Sequence, residues 1–294
     1  MTTIALLGTG LLGRAVAERL HAVGHTVIAY NRTATNALPL KRLGIATADS
    51  AERAVSQADR TLLLLADAAA IRATLFTPAC AGVLNGKPIV QMGTIGPSES
   101  LQIQHEIEHL GGTYCEAPVL GSVAEAKAGT LFVMMGGTAE QFAAWSSILS
   151  SLSREPRLIG PVGSASALKL ALNHLIAAET SAFALSLGLV QRSGVSVETF
   201  MTILRESALY APTFDKKLPR LLKRDYHSPN FSTRHLLKDV LLVLQEAAAR
   251  GLATEALTGL PLILERCIAN GLGDLDYSAL YDVVNPPGSG SPPP

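Results

Sequence analysis

Thr3-Ile4-Ala5-Leu6-Leu7-Gly8-Thr9-Gly10-Leu11-Leu12-Gly13-Arg14 places an apolar run of strand length directly before three glycines and the opening of a helix that reads from Arg14 to Ala22. A G-x-G-x-x-G spacing is a weak signal on its own, and the strand before it and the helix after it give it a meaning. Gly8 permits a tight turn, Gly10 lets a pyrophosphate approach the backbone, and Gly13 lets helix and strand pack closely. The helix start supplies oriented N–H groups, to which Leu11 and Leu12 contribute. The segment predicts a dinucleotide-binding Rossmann domain.

Outward from that loop the rhythm continues. Apolar runs at Ile4–Leu7, Thr26–Tyr30, Thr61–Leu65, Ile89–Gln91, Thr113–Glu116 and Phe132–Gly136 alternate with helical segments, a βαβ pattern punctuated by Gly24-His25, Gly111-Gly112 and Gly136-Gly137. From Ser164 the strand signals vanish, and helices are expected at about 164–192, 196–208, 213–224, 231–250, 252–270 and 277–283. The fold class is therefore α/β in an N-terminal domain over 1–162, followed by an all-helical domain over 163–284. Residues 285–294, rich in Pro, Gly and Ser, have nothing to bury and are expected to be disordered.

Composition narrows the function classes. At 294 residues the chain suits two domains of the usual ~100–150 residues each. Lys plus Arg (24) balances Asp plus Glu (24), so no global field draws a phosphate backbone or an anionic membrane. Neither nucleic acid nor membrane is an expected partner. Cys80, Cys115 and Cys267 are far apart and form no C-x-x-C, so neither a disulfide framework nor a metal site is expected. The N-terminus shows no basic n-region and no cleavage site, which reads as cytoplasmic. The apolar stretch Ala165–Val190 carries Lys169, Asn173, His174 and Glu179, costly in lipid, and reads as a buried helix of a soluble domain. Hydrophobic residues make up 48% and charged residues 16%, so an apolar helical domain suggests a homodimer or homotetramer.

The second strand ends Tyr30-Asn31-Arg32-Thr33, where an acidic residue would bond the ribose 2′-hydroxyl of NAD(H). No carboxylate stands there. Arg32 can pair with a 2′-phosphate while Asn31 and Thr33 donate hydrogen bonds, so NADP(H) is favoured over NAD(H). Between Ser164 and Val190 the only full charges are Lys169 and Glu179, and Lys169 shares one helix face with Asn173 at i,i+4. A desolvated lysine beside a carbonyl can stabilise the oxygen charge that develops on hydride transfer and deliver the proton, with the asparagine as its positioner. The plainer reading is that Lys169 snorkels to solvent at a domain edge.

With these motifs the chain resembles the β-hydroxyacid dehydrogenase family. The likeness runs from residue 1 to about 284, through Gly8–Gly13, Thr94-Ile95-Gly96-Pro97, Glu116-Ala117-Pro118-Val119 with Gly121 and Gly129-Thr130-Leu131, Gly163 with Lys169 and Asn173, Phe231 to Lys238-Asp239, and Gly273-Asp274 with Asp276. The resemblance implies a Rossmann and an all-helical domain joined by a long helix, with the active site in the cleft between them. It implies Lys169 as the catalytic acid/base, Asn173 as its substrate-orienting partner, Thr94 and Lys238 near the cofactor, and the Leu120-Gly121-Ser122 loop on the substrate carboxylate. The expected activity interconverts a small aldehyde or keto acid and its hydroxyacid.

Departures fall where substrate is chosen. The family often reads P-V-S-G-G, whereas this chain reads Pro118-Val119-Leu120-Gly121-Ser122, with Gly93 for a serine and Leu172 for an asparagine. These changes make the pocket more apolar and resemble the imine reductases, as do Asn31-Arg32-Thr33 and Ala37-Leu38-Pro39-Leu40, although those enzymes usually lack the lysine. An NADP-binding protein that has lost turnover is a third reading. His105-Glu106-Ile107-Glu108-His109 fits H-E-x-x-H, but Ile103, Ile107 and Leu110 form the apolar face and turn both histidines toward solvent. Tyr210, Phe214 and Lys216-Lys217 read equally as pocket wall or core, and His174 reads as a hydrogen-bonded structural residue.

Overall fold

The computed structural model describes residues 2–288, so most of the tail expected over 285–294 lies outside the described residues. The chain divides into two compact units, one through Leu170 and one from Ala171 onward. The division falls inside the helix Ser164–Arg192.

In the first unit, the strands are β1 (Thr3–Leu7), β2 (Thr26–Tyr30), β3 (Ala46–Thr47), β4 (Arg60–Leu63), β5 (Pro88–Gln91), β6 (Thr113–Glu116), β7 (Val119–Leu120), β8 (Phe132–Gly136) and β9 (Arg157–Gly160). They form one sheet in the order β3-β2-β1-β4-β5-β6-β8-β7, with β9 on β8. Pairing is parallel from β3 to β6, and β8 runs antiparallel to β6 and β7. Leu7 stands opposite both Tyr30 and Leu63, so the chain leaves β1 beside the carboxyl ends of β2 and β4, where the strand order reverses. Alternate residues of β1 enter different cores: Ile4 and Leu6 pack with Val16, Leu20 and Leu62, whereas Ala5 and Leu7 pack with Leu63, Ile71 and Ile103. Burial on both faces is why β1 reads as a continuous apolar run.

In the second unit, Phe183, Leu187, Leu236, Leu264, Leu280 and Tyr281 share a core. Its helices Val197–Glu206 and Thr233–Ala249 start at Ser196 and Ser232, whose hydroxyls accept from the N–H groups of Thr199 and His235. Phe214 stacks on Phe183 with ring centroids 4.6 Å apart, and Lys217 Nζ lies 2.7 Å from Asp276 Oδ1 and over the Tyr277 ring. These contacts seat Phe214 and Lys217 against the core of the second unit.

Four expectations change. The strands β3, β7 and β9 were not expected: two have two residues each, too short for a period, and β9 is an exposed edge. The segment expected as one helix over 252–270 is a 3₁₀ turn, Glu255–Leu257, followed by the helix Gly259–Ala269, in keeping with the preference of Pro261 for a first turn. Asn285, assigned to the tail, is buried, and its side chain accepts from Arg192 Nε (2.7 Å) and donates to Tyr281 Oη (2.8 Å). The long helix, expected to be buried, exposes Leu175, Leu185 and Leu189 by more than half.

Candidate active site

The three glycines of the first loop each have a distinct measurable role. Gly8 sits at φ +103°, and a Cβ there would lie 2.3 Å from the Leu64 carbonyl oxygen. A Cβ on Gly13 would lie 2.0 Å from the Gly8 carbonyl oxygen, so only glycine allows this approach of helix to strand. At Gly10 the same atom would meet nothing within 4 Å. That space lies at the start of the helix Leu11–Ala22, three residues earlier than the sequence suggests, and no side chain caps it. Thr9 is buried, and its Oγ1 has no hydrogen-bond partner among the described residues. An open cradle lined by N–H groups of Leu11, Leu12 and Gly13 fits the pyrophosphate of a dinucleotide.

The end of β2 lies beside this cradle, because Gly8 N–H donates to the Tyr30 carbonyl at 2.9 Å. Asn31 Oδ1 accepts from Thr33 N–H at 2.9 Å, which shapes the turn and leaves the Asn31 amide N–H groups as donors. Arg32 and Thr33 are exposed. A cavity of about 390 Å³ opens beside Asn31 and brings in Lys41 and Arg53, cations that sequence reasoning did not name. Arg53 pairs with Asp49 at 2.7 Å.

Thr94 follows β5, in a turn that Gln91 closes by accepting from Gly93 N–H and donating to the Gly93 carbonyl (3.1 Å). A Cβ on Gly93 would lie 2.5 Å from the Leu65 carbonyl oxygen, so the turn is built for glycine at this position. Leu120 and Gly121, at φ +133°, lead to Ser122, whose N–H (2.7 Å) and hydroxyl both donate to Glu125 Oε2.

Lys169 is 9% exposed and lies in the second turn of the helix Ser164–Arg192. The start of that helix is held by Glu116, 1% exposed at the end of β6. Its Oε1 accepts from the N–H groups of Gly163 (2.8 Å) and Ser166 (3.0 Å), and its Oε2 from the hydroxyls of Ser166 (2.6 Å) and Ser100. A carboxylate with four donors at a helix N-terminus is satisfied without a cation and locks that first turn. Sequence reasoning noted Glu116 only as part of a motif, since its donors lie 47 and 50 residues away.

In the second unit, Asn173 is 3% exposed, and its Nδ2 donates to Asp239 Oδ2 at 2.6 Å. Its Oδ1 is buried with no hydrogen-bond partner among the described residues, so the amide presents an acceptor. Lys238 Nζ lies 2.7 Å from Asp239 Oδ1. Asp239 thus joins the two predicted residues of this unit, Asn173 and Lys238, and its own role was missed. Burial, followed by the charge of Lys238, holds the His235 imidazole below its ordinary value. His174 departs from expectation, for its Nδ1 is buried without a hydrogen-bond partner among the described residues.

His105 and His109 are exposed while Ile103 and Ile107 are buried, and Glu106 pairs with Arg72 at 3.0 Å. No group of three or more His, Cys, Asp or Glu residues able to hold a metal occurs among the described residues.

Two family profiles match the chain. That for the NAD binding domain of 6-phosphogluconate dehydrogenase covers residues 3–161, and that for the NAD-binding domain of NADP-dependent 3-hydroxyisobutyrate dehydrogenase covers residues 163–284. Glyoxylate/succinic semialdehyde reductase 1 of Arabidopsis thaliana is 29% identical over 285 residues, which cover 96% of this chain and 98% of that protein. The structure of Mycobacterium tuberculosis 3-hydroxyisobutyrate dehydrogenase with L-serine superposes with a TM-score of 0.85 at 25% identity, over 97% of this chain and 99% of that one. An imine reductase from Myxococcus stipitatus in complex with NADP+ shares the fold, with a TM-score of 0.67 at 19% identity, over 96% and 99% of the two chains. The chain belongs to the β-hydroxyacid dehydrogenase family and is an NAD(P)-dependent oxidoreductase of that type.

Proposed function

We propose that the chain transfers hydride between NADP(H) and a small aldehyde or ketone, with Lys169 as general acid in reduction and general base in oxidation. A bound nicotinamide supplies or accepts the hydride. The chain's own residues orient the reactants and manage the proton. The Gly8–Gly13 cradle takes the pyrophosphate, and Asn31, Arg32 and Thr33 take the 2′-phosphate. Thr94 and Lys238 lie along the cofactor, and Leu120, Gly121 and Ser122 meet the substrate. The Lys169 ammonium donates its proton to the carbonyl oxygen as negative charge develops there, and Asn173 offers its Oδ1 to the substrate.

The observation that carries this reading is the placement of Lys169, buried one turn past a helix start locked by Glu116. A side chain that only snorkelled would leave its ammonium in water, whereas Lys169 is 9% exposed. Glyoxylate and succinic semialdehyde, the compounds in the name of the Arabidopsis relative, lead the assay panel. NADPH oxidation at 340 nm should exceed NADH oxidation and fall about 10²–10⁴-fold in Lys169→Ala. Imine reduction is the second reading, favoured by the apolar Leu120 and Leu172. A cyclic imine turned over by wild type and Lys169→Ala alike would select it. The exposed Leu185 and Leu189 support a homo-oligomer, to be read by light scattering.

A further inference from the structure

The cavity of about 390 Å³ beside Asn31 has an apolar floor and a charged rim. Ile28 of β2, Leu38 of the helix Leu38–Arg42 and Ala48 just after β3 supply apolar wall. The charged side chains lining it are Lys41, Asp49 and Arg53. Asp49 is the one carboxylate among the described residues on that wall, and Arg53 Nη1 donates to it at 2.7 Å. This pair cancels internally, so two cations and one anion leave the cavity a single net positive charge, that of the exposed Lys41. Asn31 adds donors to the same space, because its Oδ1 already accepts from Thr33 N–H and its amide N–H groups are what it can offer. An anion entering here meets a cation over apolar wall, where the attraction is screened less than in open water.

We infer that Lys41 is a specificity-determining residue for the nucleotide, the second cation on the 2′-phosphate of NADP(H), which it reaches across the mouth of this cavity. A phosphate monoester carries about −1.5 to −2 at pH 7, so the Arg32 guanidinium by itself leaves up to half of that charge unmatched. Lys41 supplies the balance as a point charge, and the Asn31 amide supplies a neutral donor between the two cations. NAD(H) presents a neutral hydroxyl in the same place, so Lys41 acts on one nucleotide and spares the other. Arg53 has an indirect part: by holding Asp49 it keeps that carboxylate from repelling the phosphate. The inference rests on the proposed function in one respect, that the end of β2 takes the 2′-phosphate.

The test titrates the full-length protein with adenosine 2′,5′-bisphosphate and with adenosine 5′-monophosphate by calorimetry at low ionic strength, two probes that differ only in the 2′-phosphate and need no turnover. The quantity read is the ratio of their affinities. Wild type should prefer the bisphosphate. Lys41→Gln should lower the ratio by about tenfold, the size expected for loss of one charge-assisted contact, with the monophosphate within about twofold of wild type. Lys41→Glu should lower it further, and Lys41→Arg, which keeps the charge, should hold it within about twofold. Fluorescence titrations with NADPH and NADH should follow the same order. A ratio unchanged in Lys41→Gln, or a loss in that variant shared equally by both probes, overturns the inference and leaves the 2′-phosphate to Asn31, Arg32 and Thr33. A wild type that binds the two probes equally speaks against NADP(H) in the proposed function itself, and the role of Lys41 falls with it.

Discussion

Two strand-to-helix loops in the first unit look alike in outline and differ in what fills them. Gly8–Gly13 and Leu120–Ser122 each follow a strand, each contain a glycine at positive φ, and each open a helix. In the first, no side chain caps the helix, and the space in front of Gly10 is empty of protein atoms within 4 Å. In the second, Glu125 occupies the Ser122 donors. A loop whose donors face outward is available to a ligand anion; one whose donors are bonded internally is already satisfied. Glycine spacing alone does not separate the two cases.

The sharpest way to break this comparison is to put a methyl group into the first loop. In Gly13→Ala the added carbon would collide with the Gly8 carbonyl, so both folding stability and NADPH binding should fall, stability by about 2–4 kcal/mol in denaturant melts. Gly10→Ala separates the two effects. Its carbon meets no protein atom, so the melt should stay within about 1 kcal/mol of wild type while NADPH affinity drops by ten- to a hundredfold, or about 1.4–2.7 kcal/mol.

An internally satisfied carboxylate in the second unit extends the contrast to stability. Burial raises the Asp276 carboxyl, but the Lys217 ammonium and the Ser278 donors outweigh it and hold it below the ordinary carboxylate range. Its contribution is therefore present above the unfolded value near ~3.9 and is lost as pH falls through the lower folded value. Lys217→Ala leaves a buried charge without its cation and should cost about 3–5 kcal/mol at pH 7. Without the ammonium, burial raises the folded-state Asp276 carboxyl above its ordinary value, so the deficit of the variant should be largest near pH 7 and shrink as Asp276 takes up its proton at lower pH, as read by denaturant melts followed by circular dichroism.

The smallest effect belongs to the far end of the first loop's ligand. Arg32 is exposed, so Arg32→Ala should weaken NADPH by about tenfold, or ~1.4 kcal/mol, and leave NADH within about twofold. Equal losses for both nucleotides would remove the 2′-phosphate role from Arg32.

What the sequence made legible follows the range of the interactions concerned. The helix Ser164–Arg192 and the strands Thr26–Tyr30, Thr113–Glu116 and Phe132–Gly136 come out with the expected ends, because local periodicity and glycine breaks define them. The glycine loop is legible because Gly8 and Gly13 answer to atoms within a few residues or next to the adjoining strand, and Gly10 stands between them at the fixed spacing of the motif. Lys169 and Asn173 stand out as polar groups in an apolar helix. By contrast, Glu116 works through Gly163 and Ser166, and Asp239 through Asn173, contacts that span 47 to 66 residues and leave no local pattern. The two-residue pairing of β7 with β8 and the burial of Asn285 against Arg192 are hidden for the same reason. Glu125 was within reach, since Ser122 and Glu125 stand at the spacing of a capping box. Reading that box would have shown the loop to be satisfied internally.

The most direct test of the account mixes the NADPH-loaded protein rapidly with an excess of aldehyde and follows nicotinamide absorbance through a single turnover, for wild type and Lys169→Ala. The account predicts a hydride-transfer rate at least about a hundredfold slower in the variant, with NADPH affinity unchanged. An equal rate in the two proteins would contradict it, and the acid would have to be sought elsewhere than Lys169.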